Sequence, residues 1–208
     1  KDVEFSIVAA NASVAGATRK SGSLSTWLAT NVSRGATGAN GGFNSGTNLT
    51  VAPTNGTQRA FTKVLLDGVM QQGYQSGANF KHMFCSPYIK SVFVTFMSDA
   101  NVASFRYAAD SGKGNSIVAT ADIYEGPFGK VMIQPNRVQS TAALARNVFL
   151  VDPEFVKWGW LDKIQEDKNL AKTGDATKFV MIGEGALKVS NEKGLGVVAD
   201  VFGLTAST

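Results

Sequence analysis

His82 and Cys85 stand at a His-x-x-Cys spacing, and they are the only histidine and the only cysteine of the chain. A zinc site needs three or four such ligands, and no second pair accompanies them. A cysteine nucleophile would need the histidine as its base, so a Cys85–His82 dyad is the arrangement open to a cysteine hydrolase. The apolar Met83 and Phe84 between them favour a place in the core instead. Ser111-Gly112-Lys113-Gly114-Asn115-Ser116 has the look of a phosphate loop. The motif, however, needs a glycine five residues before its Gly-Lys pair, where Tyr107 stands, and Ser or Thr directly after the lysine. A hairpin tip fits better. Asp122 and Glu125 could be drawn as a glycosidase pair, but they flank a turn, where carboxylates are solvated. Trp158 and Trp160, with Lys157 and Lys163 nearby, could stack bases or sugars, as in a tail or carbohydrate-binding module. Both tryptophans fall on one strand face, so they equally suit covering a sheet or meeting a neighbouring subunit. Asn11, Asn31, Asn48 and Asn55 each open an Asn-x-Ser/Thr triplet, which without a secretory route carries no message.

The totals bound the answer from another side. A chain of 208 residues buries about 70 % of its unfolded surface, enough for one sizeable domain or two small ones. Apolar residues make up 44 % and charged residues 17 %, the latter low against the usual ~25 %; with 22 glycines this suits a surface partly covered by neighbours and equally a loop-rich β protein. The net charge of +4 is spread along the chain without a basic arm, which leaves room only for weak, sequence-independent phosphate contact. One cysteine excludes an internal disulfide. No apolar run approaches the ~20 residues that span a bilayer, and no signal peptide is visible, so no membrane partner is expected.

The elements that must position these residues follow from periodicity. Asp2 to Ser13 reads as the end of a helix, with Gly16 as its stop. A short turn, Ser25 to Ala29, precedes a glycine-, asparagine- and threonine-rich stretch from Thr30 to Thr57 with one large apolar anchor, Phe43. That stretch has no His, Cys, Asp or Glu and reads as an interface loop, mobile until a neighbour orders it. Thr57 suits a helix N-cap, with Phe61, Val64, Leu65 and Val69 on one face and Gly68 marking close packing. Gly77 supplies the stop. A second helix starts at Ser86 with Pro87 in the first turn, carrying Ile89, Val92, Phe93, Phe96 and Met97 as its stripe. His82 to Cys85 is a short buried strand. From Ile117 the period changes to 2, giving a hairpin about Gly126–Gly129 and strands at 147–151, 155–161, 179–190 and 197–202. Gly183 and Gly185 are expected to bend or bulge the long strand. Segregated helices and strands argue for an α+β fold.

Several segments, taken in order, resemble the major head proteins of tailed phages and prophages. They are 27–35 (WLATNVSRG), 56–62 (GTQRAFT), 128–131 (FGKV) with 135–137 (PNR), 150–153 (LVDP), 171–176 (AKTGDA) and 187–193 (LKVSNEK). The resemblance implies the Hong Kong ninety-seven type capsid fold, shared with encapsulin shells and herpesvirus capsid floors. Carried onto this chain, residues 1–57 would be the end of the spine helix and the glycine-rich loop of the peripheral domain. Residues 58–160 would be mainly axial domain, and 161–208 the return to the peripheral sheet. The arm and extended loop that embrace neighbours in that fold are expected upstream of Lys1. The implied protein is a self-assembling, non-enzymatic shell subunit in hexamers and pentamers around DNA, with scaffold and portal proteins as further partners. No catalytic, cofactor-binding or metal-binding residue is expected. An encapsulin-like compartment protein, or a small cysteine or glycoside hydrolase, is the alternative.

Overall fold

Six strands form the sheet on which the rest of the chain is built. From one edge to the other they are β1 (Val32–Ser33), β10 (Leu195–Val198), β7 (Val148–Val151), β4 (His82–Cys85), β6 (Gly129–Pro135) and β5 (Ile123–Gly126). β1–β10 and β4–β6 pair in parallel, the other neighbours antiparallel. The computed structural model describes residues 2–16, 18–96, 122–167 and 179–206.

The central strands explain their own sequences. β7 (Val-Phe-Leu-Val) and β10 (Leu-Gly-Val-Val) are buried at every position, because layers lie on both faces of the sheet. Val148 and Leu150 point into one cluster with Phe61, Leu66, Val69, Met83, Ile89 and Phe93. Phe149 and Val151 point the other way, to Val8, Leu24, Leu28, Leu144 and Leu187. The first layer is made by α3 (Lys63–Gln75) and α4 (Pro87–Phe96). The second is made by α1 (Asp2–Val8), α2 (Leu24–Trp27), α5 (Ala142–Ala145) and the root of a ribbon formed by β8 (Val156–Asp167) and β9 (Val180–Val189). The fold is mixed α+β, as the segregated pattern predicts.

Both long helices exist, with different details. α4 starts where the sequence indicates: the Ser86 Oγ accepts from the Ile89 N–H at 3.1 Å, and Pro87 occupies the first turn. α3 starts at Lys63 rather than after Thr57, because residues 59–61 are tied to the chain's last strand region. The Arg59 N–H bonds to Asp200 O and the Phe61 N–H to Gly203 O. The buried face is therefore Leu66, Val69, Met70 and Gly73, while Val64 is 78 % exposed. Gly68 faces open space; the close approach is at Gly73, where an added Cβ would meet the Phe80 ring at 2.2 Å. Gly77, at φ +83°, ends α3 as expected. The Ala78 N–H bonds to Gly73 O and the Gly77 N–H to Tyr74 O, the paired bonds of a Schellman motif.

Other expectations need correcting. α1 ends at Val8, short of Ser13, because the following backbone is claimed elsewhere. Ser13 and Thr50 exchange two backbone-to-hydroxyl bonds, at 2.9 and 2.6 Å, and Val14 bridges to Lys20 around Gly16. The glycine-rich stretch holds a hairpin, β2 (Gly42–Asn44) with β3 (Leu49–Val51), and is fastened within the chain. β8 runs six residues beyond Leu161, and the two register shifts of the ribbon place the extra residues on β8 rather than on glycine-bearing β9. Met97, the Ile117–Ala121 alternation, the Ser111–Ser116 loop and the 171–176 segment lie outside the described residues.

Candidate assembly surface

The groups with chemical potential are held apart. His82 and Cys85 lie three residues apart on β4, so their side chains leave opposite faces of the sheet. Cys85 is fully buried among apolar neighbours, which pushes its thiol up to about 12 against the small opposing pull of Lys90. The His82 ring instead stacks on Phe84, centroids 6.2 Å apart. Asp122 pairs with Lys90 at 2.7 Å, and Glu125 stands exposed opposite Lys130 in the β5–β6 register. No group of three His, Cys, Asp or Glu suited to a metal occurs among the described residues, and no helix there is long and apolar enough to cross a membrane.

The polar residues of the recognisable segments tie distant parts of the chain together. The Glu192 carboxylate accepts from the Ala29 and Thr30 N–H groups, at 3.1 and 3.3 Å, and from the Thr30 hydroxyl at 3.0 Å. Asn31 is 1 % exposed and donates its amide to Lys193 O and Leu195 O, so this triplet cannot serve as a glycan acceptor while folded. The Asp152 carboxylate caps the Glu154 N–H and reaches the Asn79 N–H.

Asp200 is the hub that sequence reasoning misses. It is fully buried at φ +60°, and its carboxylate accepts from the N–H groups of Gly35 and Gly56, both at 3.0 Å, and from Arg146 at 2.7 Å. Arg146 also donates to Gly56 O. Arg59 donates to Ser33 Oγ and Ala199 O, and Arg34 to Asn40 Oδ1 and Thr54 O. Gly35 and Gly56 are required here, since a Cβ at either would strike the other segment's backbone, at 2.0 Å from Thr57 O and 2.5 Å from Gly35 O respectively. Burial lowers the Arg34 guanidinium pKa, Asp200 opposes this, and Arg146 and Arg59 add to the lowering. An acid inside the run Val197-Val198-Ala199-Asp200-Val201 was the one signal available in the sequence.

Among the described residues, the β8–β9 ribbon is exposed along most of its length. Val156, Trp158, Leu187 and Val189 at its root pack into the second core cluster. Trp158 lies across Gly185 and Ile164 across Gly183, 2.7 and 2.8 Å from where a Cβ would stand, so both side chains share one face with Met181 and Leu187. Trp160 meets Trp158 edge to face with centroids 5.6 Å apart, so the pair is a packed cluster rather than parallel plates for bases. Beyond it the same face is bare: Trp160 is 42 % exposed, Ile164 56 % and Met181 69 %. An apolar stripe thus runs out of the core and into solvent.

Among the described residues, the polar groups fasten the chain's own segments, and His82 and Cys85 stand apart. Residues 1–202 match the SU10 major capsid protein family, and the chain belongs to that family. It is a structural subunit of a bacteriophage shell, of the major capsid class. No curated protein matches it.

Proposed function

We propose that this subunit has the Hong Kong ninety-seven type fold and self-assembles, as hexamers and pentamers, into the shell that encloses the DNA of a tailed phage or prophage. The ribbon carries this reading. A two-stranded ribbon is at best marginally stable alone in water, and an apolar stripe continuous with the core signals a surface that a partner covers. Residues 1–57, with α1 and the glycine-rich stretch, act as part of the peripheral domain. Residues 58–160, with α3, α4 and much of the sheet, act mainly as the axial domain. Residues 161–208 return to the peripheral sheet through β9. No residue is catalytic; the separation of His82 from Cys85 and the ion pair on Asp122 support this. The modest positive charge supports non-specific contact with packaged DNA. Scaffold and portal proteins are further partners, and assembly takes place in the bacterial cytoplasm. Full-length protein examined by sedimentation and electron microscopy should form closed particles. A species that stays monomeric across protein concentration and ionic strength would sink the reading.

A further inference from the structure

The face of the β8–β9 ribbon that turns away from the core carries its charges in rows. Val156, Trp158 and Leu187 point into the second core cluster, so the residues next to them along each strand point outward. In the antiparallel register Lys157 stands opposite Lys188, Gly159 opposite Ala186, and Asp162 opposite Glu184. All of these are exposed, and all share the outward face. Lys188, Ala186 and Glu184 follow at every second residue of β9, and the extra β8 residue, Leu161, brings Asp162 level with Glu184. The face is thus a row of lysines, a row of small residues and a row of acids, each about 7 Å from the next at ~3.4 Å per residue. Like charges directly opposite each other destabilise a ribbon, and this one has a basic and an acidic pair of that kind. None of the four charges has an ion pair among the described residues. Asp162 accepts from the Gln165 amide of its own strand, at 3.1 and 3.3 Å, and Arg19 and Lys20, across a cleft from Glu184, stay beyond ion-pair distance. The middle row has its own anomaly. A Cβ at Gly159 would meet only Ala186 O, at 3.8 Å, so nothing within the chain requires a glycine there. A strand glycine of that kind marks a place where another backbone approaches closely.

We propose that the outward ribbon faces of two copies of this chain meet about a two-fold axis that crosses the strands at the Gly159–Ala186 row. This rests on the shell reading. The rotation lays β8 on β8 and β9 on β9 and reverses the order of the rows. Lys157 of one copy then faces Asp162 of the other, and Lys188 faces Glu184, with the same pairs repeated by symmetry. The small residues on the axis let the faces approach, since packed sheets lie about 10 Å apart and long side chains in the middle row would hold them further off. The occupant is a second copy because the face is complementary to itself: basic on one side of its centre, acidic on the other. Such a contact is isologous and closes on two copies, so it ties one ring of subunits to the next rather than building the ring. It uses the face opposite the stripe of Trp160, Ile164 and Met181, which leaves that stripe for a different neighbour.

The test is charge exchange in the full-length protein, with thermal unfolding of each variant as the check on folding. Wild-type particles establish the shell reading; their absence under every condition removes that reading and this proposal with it. Given particles, Lys157→Glu/Lys188→Glu and Asp162→Lys/Glu184→Lys should each lower particle yield about tenfold or more, because each gives the face a single sign. The four changes combined only reverse the order of the rows and should restore most of the yield. Mixing the two double variants should restore it too, since an all-acidic face then meets an all-basic one. Gly159→Leu, which enters open space in the subunit, should unfold no earlier than wild type and still lower the yield. Ala186→Cys in assembled particles should be joined to its own counterpart by a short bismaleimide, giving a covalent dimer that wild type under the same treatment does not give. Normal yield from both double variants would overturn the proposal and leave the shell reading in place. So would a combined variant no better than its parents, or the absence of the covalent dimer. Normal shells from Lys157→Glu/Lys188→Glu that package less DNA would assign the lysine row to phosphate instead.

Discussion

Asp200 and Cys85 show how single side chains are used in this subunit. Asp200 brings a charge into the interior, which is tolerable only because two backbone N–H groups and Arg146 surround it. Its residue type was legible as an anomaly in an apolar run. Its partners were not, since Gly35, Gly56 and Arg146 come from three separate stretches and no local pattern links them. The core placement of Cys85 was legible, from Met83 and Phe84 and from the absence of a second ligand pair. Its behaviour with pH follows from burial. The folded thiol stays protonated up to about 12, against an ordinary 9.0, because the anion is desolvated. The folded-state pKa is therefore raised, so its contribution is fully present below about pH 9 and lost as pH rises from there to about 12. Comparison of alkaline unfolding curves should show wild type losing stability across that window more steeply than Cys85→Ala. Alkylation of Cys85 in the native protein at neutral pH should be slow, and His82→Ala should leave its rate unchanged, since the two side chains leave opposite faces of β4. A fast reaction that depends on His82 would reinstate the dyad.

Among the elements, those set by local chemistry were the most legible. α4 follows its Ser-Pro start, α3 stops at Gly77, and the hairpin about Gly126–Gly129 forms with the expected alternation. The errors fall where a distant strand competes for the same backbone. α3 begins late because Arg59 and Phe61 pair with the chain's last segment, and α1 ends early because Ser13 is bound to Thr50. Glycine roles were legible only in part, for a glycine in a helix looks the same in sequence whether it is crowded or open. Gly68 and Gly73 separate the two cases. Gly68→Ala enters open space and should stabilise the protein by about 0.5–1 kcal/mol through helix propensity alone. Gly73→Ala drives a methyl into the buried Phe80 ring and should destabilise it by about 1–3 kcal/mol despite the same propensity gain. Urea unfolding of the two variants beside wild type decides the matter. Equal effects at the two positions would mean that the α3–Phe80 packing is wrong.

At the scale of the whole molecule, the α+β class was legible from segregated periods, and the shell role from short segments taken in order. The physical reason is now visible. Those segments hold the residues that fasten the chain to itself, such as Asn31 and Glu192, and a fastening of this kind constrains residue type at each end. The ribbon was only half legible. Its strands appear in the sequence as apolar runs, but apolar periodicity does not say whether a face meets its own core or another molecule. The root and the tip of this ribbon carry the same pattern with opposite fates. That division makes a sharp prediction. Ile164→Asp with Met181→Asp removes apolar groups that are already more than half exposed, so folding forfeits little, and the monomer should unfold within about 0.5 kcal/mol of wild type. Leu187→Asp, on the same ribbon face but buried in the core, should instead cost several kcal/mol, since it buries an unpaired charge. Assembly should sort the two differently from stability. The tip variant should be a well-folded subunit that yields no particles by sedimentation or electron microscopy, because an acid has replaced the stripe a neighbour must cover. If the tip variant assembles as wild type does, the bare stripe is not an interface, and the surface that joins these subunits lies elsewhere on the fold.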